Sequence, residues 1–285
     1  MTDVLGAPGP ARRTSWVDVF AGSALRGNPV AVVHDADGVS DEQMAAFARW
    51  TNLSETTYLL TPTDPGADYR LRIFTPGGEL PFAGHPTLGS AHAWLESGGV
   101  PASSTGPVQE CGAGLVRLRR DERLALAAPP LVRSGPVEAG DVTRVARALG
   151  LPETELLDLA WCDNGPGWVG VWLRDAATVL ALEPDWAAFG ELKIGVAGAH
   201  PAGGDADVEV RAFCPQYGVP EDPVTGSLNA ALGQWLAGTR LPPAYVAAQG
   251  TVLQRAGRVH VERVDDDVWV GGATRTVVSG TVDLG

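Results

Sequence analysis

Cysteine and basic residues are scarce in this chain. The three cysteines, Cys111, Cys162 and Cys214, form no C-x-x-C pair and no even set, which argues against a disulfide framework and favours a reducing, cytoplasmic setting. Only 21 Lys and Arg stand against 34 Asp and Glu, giving a net charge of −13. Nucleic acid and anionic membrane are therefore poor partners for it.

Long apolar runs are also missing. No stretch reaches the length needed to cross a bilayer, and the first residues lack the apolar core of a signal peptide. Glycine and proline are plentiful instead, with 36 and 22 copies, which indicates many tight turns and short strands. A chain of 285 residues with 45% apolar residues can bury two cores of ordinary size.

One segment occurs twice, 139 residues apart. Residues 67–76 read A-D-Y-R-L-R-I-F-T-P, and residues 206–215 read A-D-V-E-V-R-A-F-C-P. Each copy is followed by the pattern E-x-P-x-x-G, at Glu79–Gly84 and at Glu221–Gly226. Duplicated halves commonly face each other across a pseudo-twofold axis, and ligands favour domain interfaces. The repeat therefore predicts two similar domains with a site in the cleft between them.

Both turns lead into stretches of small and apolar residues, Pro86–Leu95 and Leu228–Leu236, which are typical of helices buried on all sides. Gly84 and Gly226 permit close backbone approach. The free N–H groups and the positive dipole end of each helix favour a carboxylate ligand.

One polar residue follows each glycine: His85 in the first copy and Ser227 in the second. Taken alone, Ser227 would be explained as a helix N-cap, but the paired arrangement favours a binding role. Asp222 accepts hydrogen bonds when ionised and suits an ammonium group, and His85 can donate to a developing negative charge. A small-molecule carboxylate is the expected ligand.

These motifs resemble those of the PhzF-like phenazine-biosynthesis isomerase family, and the match covers nearly the whole chain in the family's order. The resembling segments are residues 27–32 (G-N-P-V-A-V), 52–57 (N-L-S-E-T-T), 72–87 (R-I-F-T-P-G-G-E-L-P-F-A-G-H-P-T), 221–227 (E-D-P-V-T-G-S), 257–259 (G-R-V) and 270–273 (V-G-G-A). The resemblance implies the α+β fold of diaminopimelate epimerase. That fold has two pseudo-symmetric domains, each a mixed β-sheet rolled around a central buried helix.

The predicted domains are residues 1–128 and residues 129–285, one for each repeat. The family resemblance implies that the last strand, at about 274–285, returns to the first domain. It also implies a homodimer.

The resemblance makes Glu55 the proton shuttle. Epimerases of this fold carry a cysteine before each site glycine, but Ala83 and Thr225 occupy those positions here, which argues against a two-thiol racemase. The 139-residue shift also sets Glu55 against Ile194, so the acid is present in one half only.

The predicted activity is a cofactor-independent isomerisation that shifts a proton and a double bond in a small unsaturated amino or hydroxy acid, cyclic compounds included. Dihydro-hydroxyanthranilate is the family's reference substrate. No metal and no organic cofactor is expected, because neighbouring unsaturation already acidifies the proton. The candidate catalytic residues are Glu55, His85 and Asp222, and the candidate substrate-binding residues are Gly84, His85, Asp222, Gly226 and Ser227. Two alternatives stay open: an epimerase that uses Glu55 and a second base, and a non-catalytic ligand-binding protein that keeps the cleft.

Two further predictions concern structure alone. Arg72 and Arg211 are expected to pair with Asp68 and Asp207. Residues 251–255 are expected to form a strand that pairs with residues 259–263.

Overall fold

The computed structural model describes residues 10–217 and 219–285, so residues 1–9 of the predicted first domain lie outside the described residues. The chain divides into two compact units. The first contains Pro29–Leu124 and Thr274–Gly285 together with the segment that ends at Val19. The second contains Phe20–Asn28 and Ala125–Ala273.

Short strands dominate both units. In the described part of the chain, the strands are β1 (Arg12–Val19), β2 (Asn28–Val33), β3 (Glu55–Leu60), β4 (Tyr69–Thr75), β5 (Gly78–Leu80), β6 (Val108–Cys111), β7 (Gly114–Arg120), β8 (Leu124–Ala127), β9 (Arg133–Gly135), β10 (Asp158–Asp163), β11 (Trp168–Trp172), β12 (Lys193–Ala199), β13 (Val208–Cys214), β14 (Val219–Asp222), β15 (Ala244–Gln249), β16 (Gly257–Val264), β17 (Asp267–Gly272) and β18 (Thr274–Val282). The α-helices are α1 (Asp41–Thr51), α2 (Gly84–Glu96), α3 (Ala139–Leu149), α4 (Ala176–Leu180) and α5 (Gly226–Leu236).

The first unit is a mixed sheet with α2 as its central helix. Strand β1 pairs antiparallel with β18, β2 runs parallel to β3, and β4 runs antiparallel to β3 and parallel to β6. Gly89 of α2 faces β2 so closely that a Cβ there would lie 2.4 Å from Cγ1 of Val30. A glycine at this position lets the helix pack directly on the sheet.

The second unit repeats this plan with α5 at its centre. Strand β11 runs parallel to β12, β12 antiparallel to β13, and β13 parallel to β15. Here the close approach is made by the strand, since a Cβ on Gly195 of β12 would lie 2.1 Å from Cδ1 of Leu228. Helices α3 and α4 cover a second apolar layer that includes Val171, Ile194 and Phe213.

The pairing register of the two units follows the 139-residue shift. Val30 pairs with Glu55 in the first unit, and Val169 pairs with Ile194 in the second. The carboxylates of Asp68 and Asp207 are equivalent as well. Each accepts a hydrogen bond from the backbone of the parallel neighbour strand, Asp68 from Val108 N at 2.7 Å and Asp207 from Val246 N at 2.8 Å.

The prediction that the arginines pair with these aspartates is wrong. Arg72 donates to Glu79 and Asp41, and Arg211 donates through Nε and Nη2 to both oxygens of Glu221 at 2.8 Å. In a strand, residues four apart share a face, which made each aspartate the expected partner of its arginine. The glutamate on the adjacent hairpin strand is nevertheless nearer to the arginine in space.

The predicted strand at 251–255 is also wrong. Thr251–Leu253 is a 3-10 turn, flanked by left-handed residues Gly250 (φ 88°) and Gln254 (φ 59°). The strand that pairs with β16 is β15, which precedes the turn. Among the described residues, no helix is both long enough and apolar enough to span a membrane.

Candidate active site

The first unit brings Glu55 and His85 together. Glu55 is the first residue of β3, and His85 is the second residue of α2. Nε2 of His85 lies 3.4 Å from Oε2 of Glu55, with the two side chains 4% and 14% exposed. The acid is therefore sheltered but open on one side.

The His85 ring is neutral near pH 7. Burial lowers the pKa of His85 to about 3, and a hydrogen bond to the backbone of Pro29 opposes that shift in part. Proline offers only a carbonyl, so the ring donates to it. A neutral imidazole has one N–H, and in the tautomer that gives it to Pro29 through Nδ1 the Nε2 atom is an acceptor facing Glu55.

The second unit brings Asp222, Gly226 and Ser227 together. Helix α5 begins at Gly226 with Thr225 as its N-cap residue, so Ser227 is the second residue of the helix and not its cap. The N-cap explanation of Ser227 is thereby removed. His85 and Ser227 occupy the same position in α2 and α5.

The hydroxyl of Ser227 accepts a hydrogen bond from the indole of a buried tryptophan. Trp168 Nε1 lies 3.2 Å from Ser227 Oγ, and Asn164 Nδ2 donates to the Ser227 carbonyl at 2.9 Å. Because an indole N–H can only donate, the Ser227 proton points elsewhere. The hydroxyl is thus a ready donor to a ligand.

Both oxygens of Asp222 accept hydrogen bonds within the second unit. Asn28 Nδ2 donates to Oδ1 at 2.9 Å, and Thr225 Oγ donates to Oδ2 at 2.6 Å. The Asn28 amide is fully buried and also donates to the carbonyl of Val224 at 3.0 Å. These bonds fix the plane of the Asp222 carboxylate.

The two helix N-termini carry no side-chain caps. The N-cap residues are Ala83 and Thr225, and neither makes a side-chain hydrogen bond to its helix. The first turns also lack acidic residues. Backbone N–H groups beside Gly84 and Gly226 therefore favour an anionic ligand group.

Sequence reasoning named Glu55 and His85, which lie in one unit, and Asp222, Gly226 and Ser227, which lie in the other. It assigned no role to the residues that hold these side chains: Asn28, Trp168 and Gln249. Asn28 has a visible signal because it stands in the Gly-Asn-Pro motif. Trp168 and Gln249 belong to no motif that the sequence displays, and Gln249 follows its contact Thr225 by 24 residues.

Comparisons with known proteins identify the family of this chain. The family model described as "Phenazine biosynthesis-like protein" matches residues 17–280. The chain is 38% identical to "Antisense-enhancing sequence 1" of Schizosaccharomyces pombe, over 93% of this chain and 96% of that protein. It is 36% identical to the trans-2,3-dihydro-3-hydroxyanthranilate isomerase of Pseudomonas aeruginosa, over 86% of this chain and 87% of that protein.

A solved structure has the same fold. The phenazine biosynthesis protein of the PhzF family from Enterococcus faecalis superposes with a TM-score of 0.77 at 26% identity, covering 95% of this chain and 99% of that one. The predicted α+β fold class and the predicted family are both confirmed. The chain belongs to the phenazine biosynthesis-like (PhzF) family of isomerases.

Proposed function

We propose that this protein moves a proton, and with it a double bond, within a small unsaturated amino or hydroxy acid, using Glu55 as its single general acid and base. The observation that carries the proposal is the contact between Glu55 and a neutral His85 at the start of α2. Neither redox change nor group transfer is involved. The proton leaves one carbon of a conjugated system and returns to another.

One acid is enough for this reaction, and of the two equivalent positions only the first holds an acid, Glu55. The residue equivalent to Glu55 in the second unit is Ile194, which is fully buried in an apolar layer. A racemase needs a base on each face of the substrate carbon, whereas a proton shift along one face needs only one group that first accepts and then donates.

In this scheme, His85 orients the side chain of Glu55. When Glu55 holds the substrate proton, its carboxyl group can donate to Nε2 of His85, which keeps the acid oriented. The neutral ring does not compete for that proton, because burial holds its pKa near 3. This role replaces the expected one, in which His85 donates to the substrate.

The second unit supplies binding groups. Ser227 and the uncapped N-terminus of α5 donate to the substrate carboxylate, while Asp222 accepts from its amino or hydroxyl group. Asn28 contacts Asp222, and the next residue, Pro29, accepts from His85. A cleft between the domains and a homodimer stay predictions, as does a cytoplasmic location.

The substrate class follows from the relative in Pseudomonas aeruginosa that is named for trans-2,3-dihydro-3-hydroxyanthranilate. That compound carries a carboxylate, an amino group, a hydroxyl group and a diene, which are the groups this site can contact. It is the first compound to test.

The test is exchange of solvent deuterium into trans-2,3-dihydro-3-hydroxyanthranilate, followed by NMR together with the ultraviolet change of the diene. Wild type should exchange and isomerise the compound, and Glu55→Gln should do neither while still binding it. Glu42→Gln is the matched control, since it makes the same change at an exposed position of the first unit.

Each outcome decides between candidates. Exchange at the wild-type rate in Glu55→Gln would refute the assignment of Glu55. Exchange with inversion of a stereocentre and no spectral change would favour an epimerase with a second base. Binding without exchange in wild type would favour a ligand-binding protein.

A further inference from the structure

We propose that Thr225 and Gln249 are positioning residues that fix the direction of hydrogen bonding at the Asp222 carboxylate. The proposal rests on the proposed function, because it concerns how Asp222 is presented to the substrate. Both residues are buried, Thr225 6% and Gln249 1% exposed.

The orientation of the Gln249 amide is determined by backbone groups on both sides. Its Oε1 accepts from Thr225 N at 3.0 Å and from Asn229 Nδ2 at 2.9 Å. Its Nε2 donates to the Asp222 carbonyl at 3.1 Å. A backbone N–H can only donate and a carbonyl can only accept, so the flipped amide would lose both bonds.

This orientation sets the direction of the Thr225 hydroxyl. Nε2 of Gln249 also donates to Thr225 Oγ at 2.9 Å, so the threonine proton is left for its other contact. That contact is Asp222 Oδ2 at 2.6 Å, a short distance typical of a hydroxyl bonded to a carboxylate. The relay therefore runs from Gln249 through Thr225 to Asp222.

Because the Thr225 hydroxyl bonds to Asp222, it does not cap helix α5. A threonine at an N-cap ordinarily accepts a hydrogen bond from the first turn of its helix. Thr225 makes no such bond to α5. Its hydroxyl is committed to Asp222, and the first N–H groups of α5 are left for a ligand.

The first unit contains a similar pair without the carboxylate. Gln109 is fully buried on β6, and its Nε2 donates to Thr87 Oγ1 of α2 at 3.0 Å. The N-cap of α2 is Ala83, which has no hydroxyl to pass on. Among the described residues, only the second unit has a buried glutamine that reaches an acid through a threonine at the start of a helix.

The experiment compares Thr225→Val with Thr225→Ser and with the matched control Thr87→Val, in the full-length protein and with trans-2,3-dihydro-3-hydroxyanthranilate as substrate. Thr225→Val should lower kcat/KM by about 10- to 100-fold, the size of a lost hydrogen bond to a charged group. Thr225→Ser should restore most of the activity. Thr87→Val should stay within about threefold of wild type, since it breaks a bond of the same type away from a carboxylate.

A double-mutant cycle separates positioning from a general packing role. In an Asp222→Asn background, Thr225→Val should cause no further loss of kcat/KM, because the hydroxyl acts through the acid. A full additional loss in that background, or equal losses for Thr87→Val and Thr225→Val, would overturn the proposal.

A second measurement does not depend on the substrate. Neutron diffraction of the deuterated protein should place the Thr225 hydroxyl deuteron toward Asp222 Oδ2 and two deuterons on Gln249 Nε2. A deuteron pointing toward Gln249 would overturn the relay whatever the protein catalyses. If wild type leaves the compound unchanged while the deuterons lie as expected, the proposed substrate fails and the relay stands.

Discussion

The two units share one framework but differ at the start of their central helices. In the first, His85 stands at the second helical position and contacts Glu55. In the second, the same position holds Ser227, and the residue that matches Glu55 is the buried Ile194. The difference teaches that two units with one framework can carry different residues at equivalent positions, and the proposed division between proton transfer and substrate binding depends on those single residues.

The largest effect is expected when each of the two equivalent residues, Glu55 and Ile194, is replaced by the other type. Ile194→Glu should lower the free energy of unfolding by about 5 kcal/mol or more, because apolar burial is lost and an unpaired carboxylate is buried. Glu55→Ile, at a partly exposed position, should leave the fold intact and abolish deuterium exchange. Urea unfolding measures the stability of both variants, and NMR measures deuterium exchange. Equal stability of the two variants would contradict the expected difference between the units.

The two equivalent arginines offer the next largest effect. The Arg211 and Glu221 side chains are 4% and 8% exposed, and Arg211 Nη1 also donates to the carbonyls of Val179 and Leu182. Arg72 is 18% exposed, and its partner Glu79 is 42% exposed.

Arg211→Ala should therefore lower the free energy of unfolding by about 3–5 kcal/mol, since it leaves the buried carboxylate of Glu221 without its partner. Arg72→Ala should cost about 1 kcal/mol. Chemical denaturation of the two variants checks the difference, and a larger loss for Arg72→Ala would reverse it.

Part of the acid sensitivity should come from the buried histidines of the first unit. Among the described histidines, burial lowers the pKa of His34, His85 and His92, all in that unit. The unfolded chain binds a proton at each near pH 6.5, whereas folded His85 does so only near pH 3. The contribution of these histidines to stability is therefore constant above pH 6.5 and falls as the pH drops from 6.5 toward 3.

His85→Asn should flatten this fall by up to about 1.4 kcal/mol per pH unit. The measurement is urea unfolding of wild type and variant at several pH values between 7 and 4. Parallel curves would show that His85 is accessible to protons in the folded state.

The smallest effect tests the second unit. Trp168→Phe removes the donor to Ser227 and should raise KM by about fivefold, the size of one hydrogen bond, with a smaller change in kcat. Trp161→Phe is the matched control, because Trp161 Nε1 donates to Glu138 away from the site. Equal effects of the two substitutions would deny Trp168 a role in binding.

Sequence reasoning predicted well the features that leave a local pattern. The buried helices were expected at Pro86 and Leu228, each two residues after its true start. The error arose because the glycine and polar residue of each turn were read as loop, although they form the first helical turn. Pro86 is consequently the third helical residue, where its missing N–H is still harmless.

Features that depend on long-range contacts could not be predicted. The partner of Arg72 is set by the geometry of a β-hairpin, and the relay to Asp222 depends on Gln249, which reaches Thr225 only because β15 lies beside β13. A buried glutamine in a strand carries no sign of which helix it will meet. The neutral state of His85 likewise depends on its full burial, which a sequence does not display.

The carboxylates of Asp68 and Asp207 have a consequence for engineering. Each ties a strand to the backbone of a partner about forty residues later, at separations of 40 and 39 residues. Helix α2 lies inside the first of these closed segments, and α5 lies inside the second. Because the entropy of loop closure rises by only about 0.6 kcal/mol for each doubling of length, the exposed loops that flank each buried helix can be lengthened at little cost. The bond at each aspartate thus holds the register of its two strands while those loops change in length.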